Sequence, residues 1–389
     1  MIKRVLYFIR RTAAHFILKG KVMDVWLWRQ TRRLAAEYSC FVLAASSRAK
    51  PVPCQARVSS VRSLKRILFL CANMWEKREL LPELRKLAEV DFMDVSPFIL
   101  QGQVNADDRL DFEALRNSWK SSGERSYDVS VVYLNAALLN LDLLQEVRRK
   151  TDGLLLGLNL DDKTSYSEFT AFRTSPQNYR NWARHFDCNL SNSRSLVDIY
   201  NDDGHPCLYL PTGFHFNPEV HRFQPQGSFD YELSFVGSCK HERRKFVGAL
   251  QDMGIEVKLF GGGWEGAEFT DEGPSVYRRS LINLGIGYNL PGSQFTNLKN
   301  RDFECPGSGG CYLTTFDWEL ADCFEVGKEI LCYRDVHDFC EIFAYYRRRP
   351  ELCRKIAEAG YLRAKDQHTW AHRFASVFVS LGFTINPLK

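Results

Sequence analysis

The chain has 389 residues, 45% hydrophobic and 25% charged, so it can bury large cores, and its length suits two domains better than one. The mean hydropathy is −0.31 and no run of 18 apolar residues exists, which argues against a membrane-spanning helix. The net charge of +5 is local: residues 1–66 hold 15 Lys and Arg against Asp24 and Glu37, leaving 37 bases against 45 acids in the remainder. A basic body of the kind that binds nucleic acid is thus not expected.

Met1–Arg4 is basic and Val5–Ile9 apolar, but Arg10 and Arg11 end the run too early for a secretory leader. The twelve cysteines include no CxxC pair. Several, such as Cys71 and Cys332, lie inside apolar runs, so buried free thiols in a reducing cytoplasm are expected.

Residues 1–38 read as a helix, with Ile2, Val5, Leu6, Ile9, Ala13 and Phe16 at spacings of three and four among Lys and Arg. That pattern suits an anionic membrane surface or docking onto protein. Residues 45–63 have no period and read as a linker. Strands are then expected at Ile67–Cys71, Val90–Val95, Asp128–Leu134, Leu154–Leu160, Asn189–Ser191 and Cys207–Leu210. Helices are expected at Glu79–Glu89, Asn140–Lys150 and Arg194–Asn201. After a Pro- and Gly-rich link over 211–228 the alternation restarts. Strands are expected at Leu233–Val236, Val257–Phe260, Ile286–Tyr288, Cys311–Thr315 and Ile330–Tyr333. Helices are expected at Glu242–Met253, Ser275–Leu284, Phe295–Glu304, Val336–Arg347, Pro350–Lys365 and Trp370–Leu381. Continuous apolar strands separated by helices imply parallel sheets covered on both faces. Ligands in such sheets lie beyond the strand carboxyl ends.

Four clusters carry possible chemistry. Arg301 and Glu304 lie three apart on one helical face, followed by the Gly309–Gly310 turn. A carboxylate there can accept from two ribose hydroxyls, and glycines let backbone amides approach a phosphate. An intrahelical ion pair beside an ordinary turn explains the same residues. A strand ends at Gly237, just before Arg243 and Lys245 on the next helix. A cation and helix amino-terminal amides there would meet a diphosphate. A solvated basic helix face is the alternative. Gly262 and Gly263 end the next strand and permit backbone approach, although no GxGxxG fingerprint is present. Asp161 and Asp162 end an apolar strand of the first half. They can act on an acceptor hydroxyl or cap a helix.

The carboxyl-terminal half resembles the glycosyltransferase group 1-like family that includes the spore-maturation CgeB proteins. The resemblance rests on Arg301-Asp302-Phe303-Glu304, Gly309-Gly310, Phe324-Glu325-Val326-Gly327-Lys328-Glu329, Gly360-Tyr361, and His368-Thr369 with Arg373. It continues more weakly through Ser234–Ser238 and Gly263-Trp264, and residues 1–66 are outside it. It implies a GT-B fold of two facing Rossmann-like domains with a basic helical extension. It also implies a retaining transferase with a nucleotide-sugar donor, UDP or GDP first, and no obligatory metal. Glu304 matches the ribose-binding glutamate of related enzymes. The glutamate expected eight residues earlier falls on Thr296, which is not acidic.

The expected division is 1–66 as extension and linker, 67–217 as acceptor-side domain, 218–370 as donor domain, and 371–389 as a helix returning to the first domain. The expected partners are the donor and a hydroxyl acceptor, lipid-linked if residues 1–66 meet a membrane from the cytoplasmic side, as in surface-polysaccharide assembly. A non-catalytic interaction protein and a nucleic-acid acceptor are the rival readings.

Overall fold

The computed structural model describes residues 62–72, 74–101, 108–120, 125–166, 178–224, 228–267, 273–287 and 296–385. The expected helix over 1–38 and nearly all of the expected linker lie outside them. Two compact units divide the chain: the residues up to Pro211 with those from Phe374 onward, and Thr212–Arg373. These borders stand beside sequence-based borders at 217/218 and 370/371.

The first unit contains β1 (Arg62–Ser63), β2 (Arg66–Cys71), β3 (Glu89–Asp94), β4 (Ile99–Leu100), β5 (Arg109–Leu110), β6 (Tyr127–Tyr133), β7 (Thr151–Asn159), β8 (Cys188–Ser191) and β9 (Cys207–Tyr209). Its helices are α1 (Met74–Leu84), α2 (Phe112–Lys120), α3 (Leu141–Arg149), α4 (Asp162–Ser165), α5 (Arg180–Ala183) and α6 (Arg194–Asp202). Six strands pair in parallel in the order β3-β2-β6-β7-β8-β9. Ile67 to Cys71 are wholly buried, as are Leu155, Leu156 and Leu158, because a sheet covered on both faces wants apolar residues at every position. Helix α3 shows how a cover is fixed: Asn140 Oδ1 accepts from Leu143 N at 2.8 Å, Arg148 and Arg149 close the last turn, and Leu143, Leu144 and Val147 face inward. Each such side chain contributes about 1.5–3 kcal/mol of burial.

The second unit contains β10 (Tyr231–Val236), β11 (Lys258–Phe260), β12 (Ser280–Leu284), β13 (Tyr312–Thr315) and β14 (Leu331–Tyr333). Its helices are α7 (His241–Asp252), α8 (Gly273–Arg279), α9 (Arg301–Gly307), α10 (Trp318–Ala321), α11 (Val336–Tyr346) and α12 (Pro350–Gln367). The order is β11-β10-β12-β13-β14, again all parallel. The last helix, α13 (Trp370–Ser380), crosses the border between units, and β15 (Phe383–Thr384) pairs in parallel with β1 of the first.

Helix α1 ends at Leu84, so that Glu89 opens β3, α9 begins at Arg301 rather than at 295, and one stretch changes type altogether. Ser280–Leu284 is a strand, not the end of a helix, and Ile286 lies beyond it. All five residues are buried between β10 and β13. The two polar members are satisfied from the preceding turn: Ser280 Oγ donates to Val276 O at 2.8 Å, and Asn283 Nδ2 donates to Tyr277 O at 2.9 Å. A central strand with internally bonded polar residues shows no period-two alternation, so the pattern alone cannot separate it from helix. The ten cysteines among the described residues are all free thiols. No helix among those residues is long and apolar enough to cross a membrane.

Candidate active site

The site begins where β10 runs into Gly237. This residue has φ +153°, and a Cβ on it would lie 2.8 Å from Arg301 Nη1 and 3.2 Å from the Phe235 ring. Gly261, at the end of β11, has φ +116°, and its Cβ would sit 2.8 Å from the Gly237 carbonyl. The two strand ends thus meet backbone to backbone, which only glycine permits. Gly237 N donates to Phe260 O, and Cys239 N donates to Gly262 O, both at 2.8 Å. Trp264 Nε1 closes the turn on Gly237 O at 2.8 Å, with its ring edge-on to Phe235.

Two guanidiniums flank the same phenylalanine. Arg243, in the first turn of α7, is 7% exposed and lies 5.6 Å from the Phe235 ring centre. Its Nη1 donates to Ser238 O at 2.9 Å and Ser238 Oγ at 3.3 Å, and its buried Nε has no partner. Arg301 is 8% exposed and lies 4.7 Å from that ring. It donates to Val236 O at 2.6 Å, Ile286 O at 3.2 Å and Tyr312 Oη at 3.4 Å. Among the described residues no carboxylate bonds either guanidinium. Asp302, next to Arg301 in the chain, is engaged by Tyr312 Oη at 2.6 Å and Lys299 N at 2.7 Å. Burial, with Arg301 adding repulsion, pulls Arg243 down to about 10, so it stays charged at neutral pH. Burial also opposes the charge on Arg301, but Tyr312, Tyr277 and Asp302 outweigh it and hold that group above its ordinary value. The end of β10 therefore carries concentrated positive charge beside the amino terminus of a twelve-residue helix. The cost falls on Arg243, whose charge burial and Arg301 both oppose, and an anion placed against it would relieve that cost.

Glu304 stands one turn along α9 from Arg301 and is partly exposed. Tyr277 Oη donates to its Oε2 at 3.3 Å, and a Cβ on Gly273 at the start of α8 would be 3.6 Å from that hydroxyl. Burial raises the Glu304 pKa, against the opposing pull of Tyr277 and Arg301. Thr296 donates its hydroxyl to Asp317 Oδ2, just past the end of β13. A carboxylate, that of Asp317, thus lies against the position where the resemblance would put one. Its other oxygen accepts from Glu319 N at 2.7 Å.

Several expected residues stand elsewhere. Arg301 is not presented to solvent; it ties together the ends of β10 and β12. Lys245 is half-exposed and 3.9 Å from Glu242, and residues two apart on a helix do not share a face, so it does not join Arg243. Gly262 is exposed with open space around it, and Gly263 (φ +84°) turns against Cys239. Gly309 and Gly310 lie beyond the far end of α9, where a Cβ on Gly310 would come 3.0 Å from the Tyr277 Cβ rather than from the hydroxyl that meets Glu304. Helix α9 carries the chain back to the amino end of β13, where a Cβ on Gly309 would meet Phe223 and Arg222 O, and one on Gly310 would meet Asn283 and Cys305. These glycines allow close packing at the opposite end of the sheet.

In the first unit, Asp162 is wholly buried and accepts from Tyr200 Oη at 2.8 Å. Burial pushes it up to about 8. It is a core group closed to any acceptor, whereas Asp161 before it is exposed at the start of α4. The remaining matched residues pack behind Glu304. Phe303 meets His368 and lies under Arg373, Phe324 meets His368, and a Cβ on Gly360 would be 2.4 Å from Glu329 O. Sequence reasoning missed Tyr277 and Asp317, and it reached Phe235 and Ser238 only as members of the weakly matching Ser234–Ser238 stretch, with no role of their own.

Residues 242–378 match the family model described as glycosyl transferase-like. No curated protein matches the chain. Among solved structures, the chain is similar to sucrose-phosphate synthase from Thermosynechococcus elongatus (11% identity, TM-score 0.51, covering 82% of this chain and 99% of that one). It is also similar to HepE from Anabaena, solved with UDP and glucose (14%, TM-score 0.53, 81% and 99%), and to the same protein with UDP-glucose (13%, TM-score 0.52, 81% and 99%). At these identities the likeness concerns the fold, which is GT-B.

Proposed function

Because the chain carries a glycosyl transferase-like domain in a GT-B fold, we propose that it transfers a sugar from a nucleotide-diphosphate donor to a hydroxyl acceptor, with retention and without an obligatory metal. The observation that carries this reading is the pair of buried guanidiniums at the end of β10 with no carboxylate among the described residues bonded to either. We assign the donor's diphosphate to that position. Its charge would be met by Arg243, Ser238 and the first amides of α7. As the sugar–oxygen bond breaks, negative charge grows on the leaving diphosphate. Donors already fixed in place then stabilise the transition state more than the ground state. Glu304, held by Tyr277, is suited to the two ribose hydroxyls. Gly262, exposed and with open space around it, leaves the nucleotide room to approach backbone. Asp317, two strands along the sheet, is suited to the hydroxyls of the donor sugar. Asp161 is the candidate for an acceptor hydroxyl. HepE, a fold neighbour, binds UDP-glucose, which makes UDP the first base to try.

A lipid-linked acceptor at the cytoplasmic face of a membrane belongs to the same proposal, supported by the charge of residues 1–66. Liposome flotation checks it: the full chain should float with anionic vesicles, and equal flotation after deletion of residues 1–66 would remove it. The catalytic reading is tested by thermal shift and hydrolysis with UDP-, GDP-, CDP- and ADP-sugars. At least one donor should stabilise and be turned over, and Glu304→Ala should weaken its binding about tenfold, the loss of a charge-assisted pair of hydrogen bonds. Unchanged binding in that variant would overturn the ribose assignment. Absence of any donor binding would leave a GT-B interaction protein, a reading that the non-acidic Thr296 alone favours.

A further inference from the structure

Trp318 is 80% exposed, more than any other large hydrophobic residue among those described. Scattered apolar residues on a surface need no explanation, but this one is the largest side chain available and sits in a rigid, polar setting. It opens α10 directly after Asp317. On one side Phe316 N donates to Tyr333 O at 2.8 Å, continuing the sheet. On the other, Asp317 Oδ1 caps α10 by accepting from Glu319 N and Leu320 N. The Phe316 ring stands edge-on to the indole at 5.0 Å. The backbone beneath Trp318 is thus pinned at both ends while its ring faces outward.

The position relative to the donor site is informative. The sheet order places β13 two strands from β10, roughly 10 Å at about 4.8 Å per strand. That is the span of a diphosphate joined to one pyranose ring. A donor anchored at Arg243 would bring its sugar to Asp317 and Thr296, with Trp318 the next residue outward. Pyranose rings have a face of C–H groups with slight positive charge and a rim of hydroxyls. An aromatic face carries the complementary negative charge, and carboxylates such as Asp317 and Glu319 accept from the rim.

We infer that Trp318 is a stacking platform for a pyranose ring of the acceptor, so that the acceptor is a carbohydrate. This rests on the donor reading above. The test is saturation-transfer NMR on the full-length protein with saturating UDP or GDP and the methyl glycosides of glucose, galactose, mannose and N-acetylglucosamine as probes. At least one glycoside should receive saturation at its ring C–H protons. The signal should fall at least fivefold in Trp318→Ala and largely persist in Trp318→Phe, with melting temperatures unchanged because the side chain is exposed. If no glycoside is saturated, or if the alanine variant matches the wild type, the inference falls. Nucleotide thermal shifts on the same samples separate the two failures. If neither nucleotide binds the wild type, the donor reading falls and takes this inference with it. If nucleotide binds and no sugar signal depends on Trp318, this inference falls alone.

Discussion

Asp162 and His368 are both titratable groups taken out of water, and they bend the stability curve in opposite directions. Asp162 in the fold has its pKa pushed up to about 8 by burial. Between the ordinary carboxylate range and pH 8 the unfolded chain gives up this proton while the folded chain keeps it. Stability from this group is therefore full below about pH 4 and falls as pH rises, by at most about 1.4 kcal/mol per unit. Asp162→Asn keeps an acceptor for Tyr200 Oη and removes the titration. Its melting temperature should gain on the wild type steadily from pH 5 to pH 8; a constant gap would contradict the buried, protonated state. His368 is held down to about 3 by burial and by Arg373. Its Nε2 donates to Cys323 O at 2.7 Å. Here the unfolded chain binds the extra proton, so stability falls as pH drops below about 6.5. His368→Gln should show a flatter acid loss between pH 6.5 and pH 5 than the wild type, whatever its stability at pH 7. An unchanged slope in the melting data would place the acid sensitivity elsewhere.

At the scale of elements, the site depends on two strand ends approaching without side chains. Gly237→Ala would force a Cβ toward Arg301 and Phe235 in a backbone region that only glycine occupies readily. A loss of about 1–3 kcal/mol by urea denaturation is expected, and a neutral result would mean that the strand end is looser than described. The elements were unevenly legible in the sequence. Buried parallel strands such as β2 and β7 announce themselves as short apolar runs bounded by polar residues. Strand β12 does not, because Ser280 and Asn283 bond to the helix before it and blur the run. Glu304 could be proposed from its spacing to Arg301, but the partner that orients it, Tyr277, comes from a helix before β12, and no local pattern links them. Arg301 was legible as important but not as the clasp between β10 and β12, since its acceptors are backbone carbonyls far away in sequence. In the sequence Gly309 and Gly310 read as a turn able to approach a phosphate, and they lie instead at the amino end of β13, because the motif carries no information on how far α9 runs before the chain turns.

At the scale of the whole molecule, two doubly wound units are read directly from the alternation of strands and helices, and the return of residues 374–389 to the first unit follows from α13 crossing the border. The functional account rests on a much smaller feature, the unneutralised Arg243 beside Arg301. Burying such a charge with only Ser238 as hydrogen-bond acceptor and no bonded carboxylate among the described residues costs stability, so its removal should not harm the empty protein. Titration calorimetry with UDP and GDP on the wild type and Arg243→Met tests this most directly. The account predicts saturable binding of at least one diphosphate by the wild type. In Arg243→Met, binding should be about 10–100-fold weaker, the worth of one or two charge-assisted hydrogen bonds, with a melting temperature no lower than the wild type's. Equal affinity in the two proteins, or no binding of either nucleotide by the wild type, would contradict it.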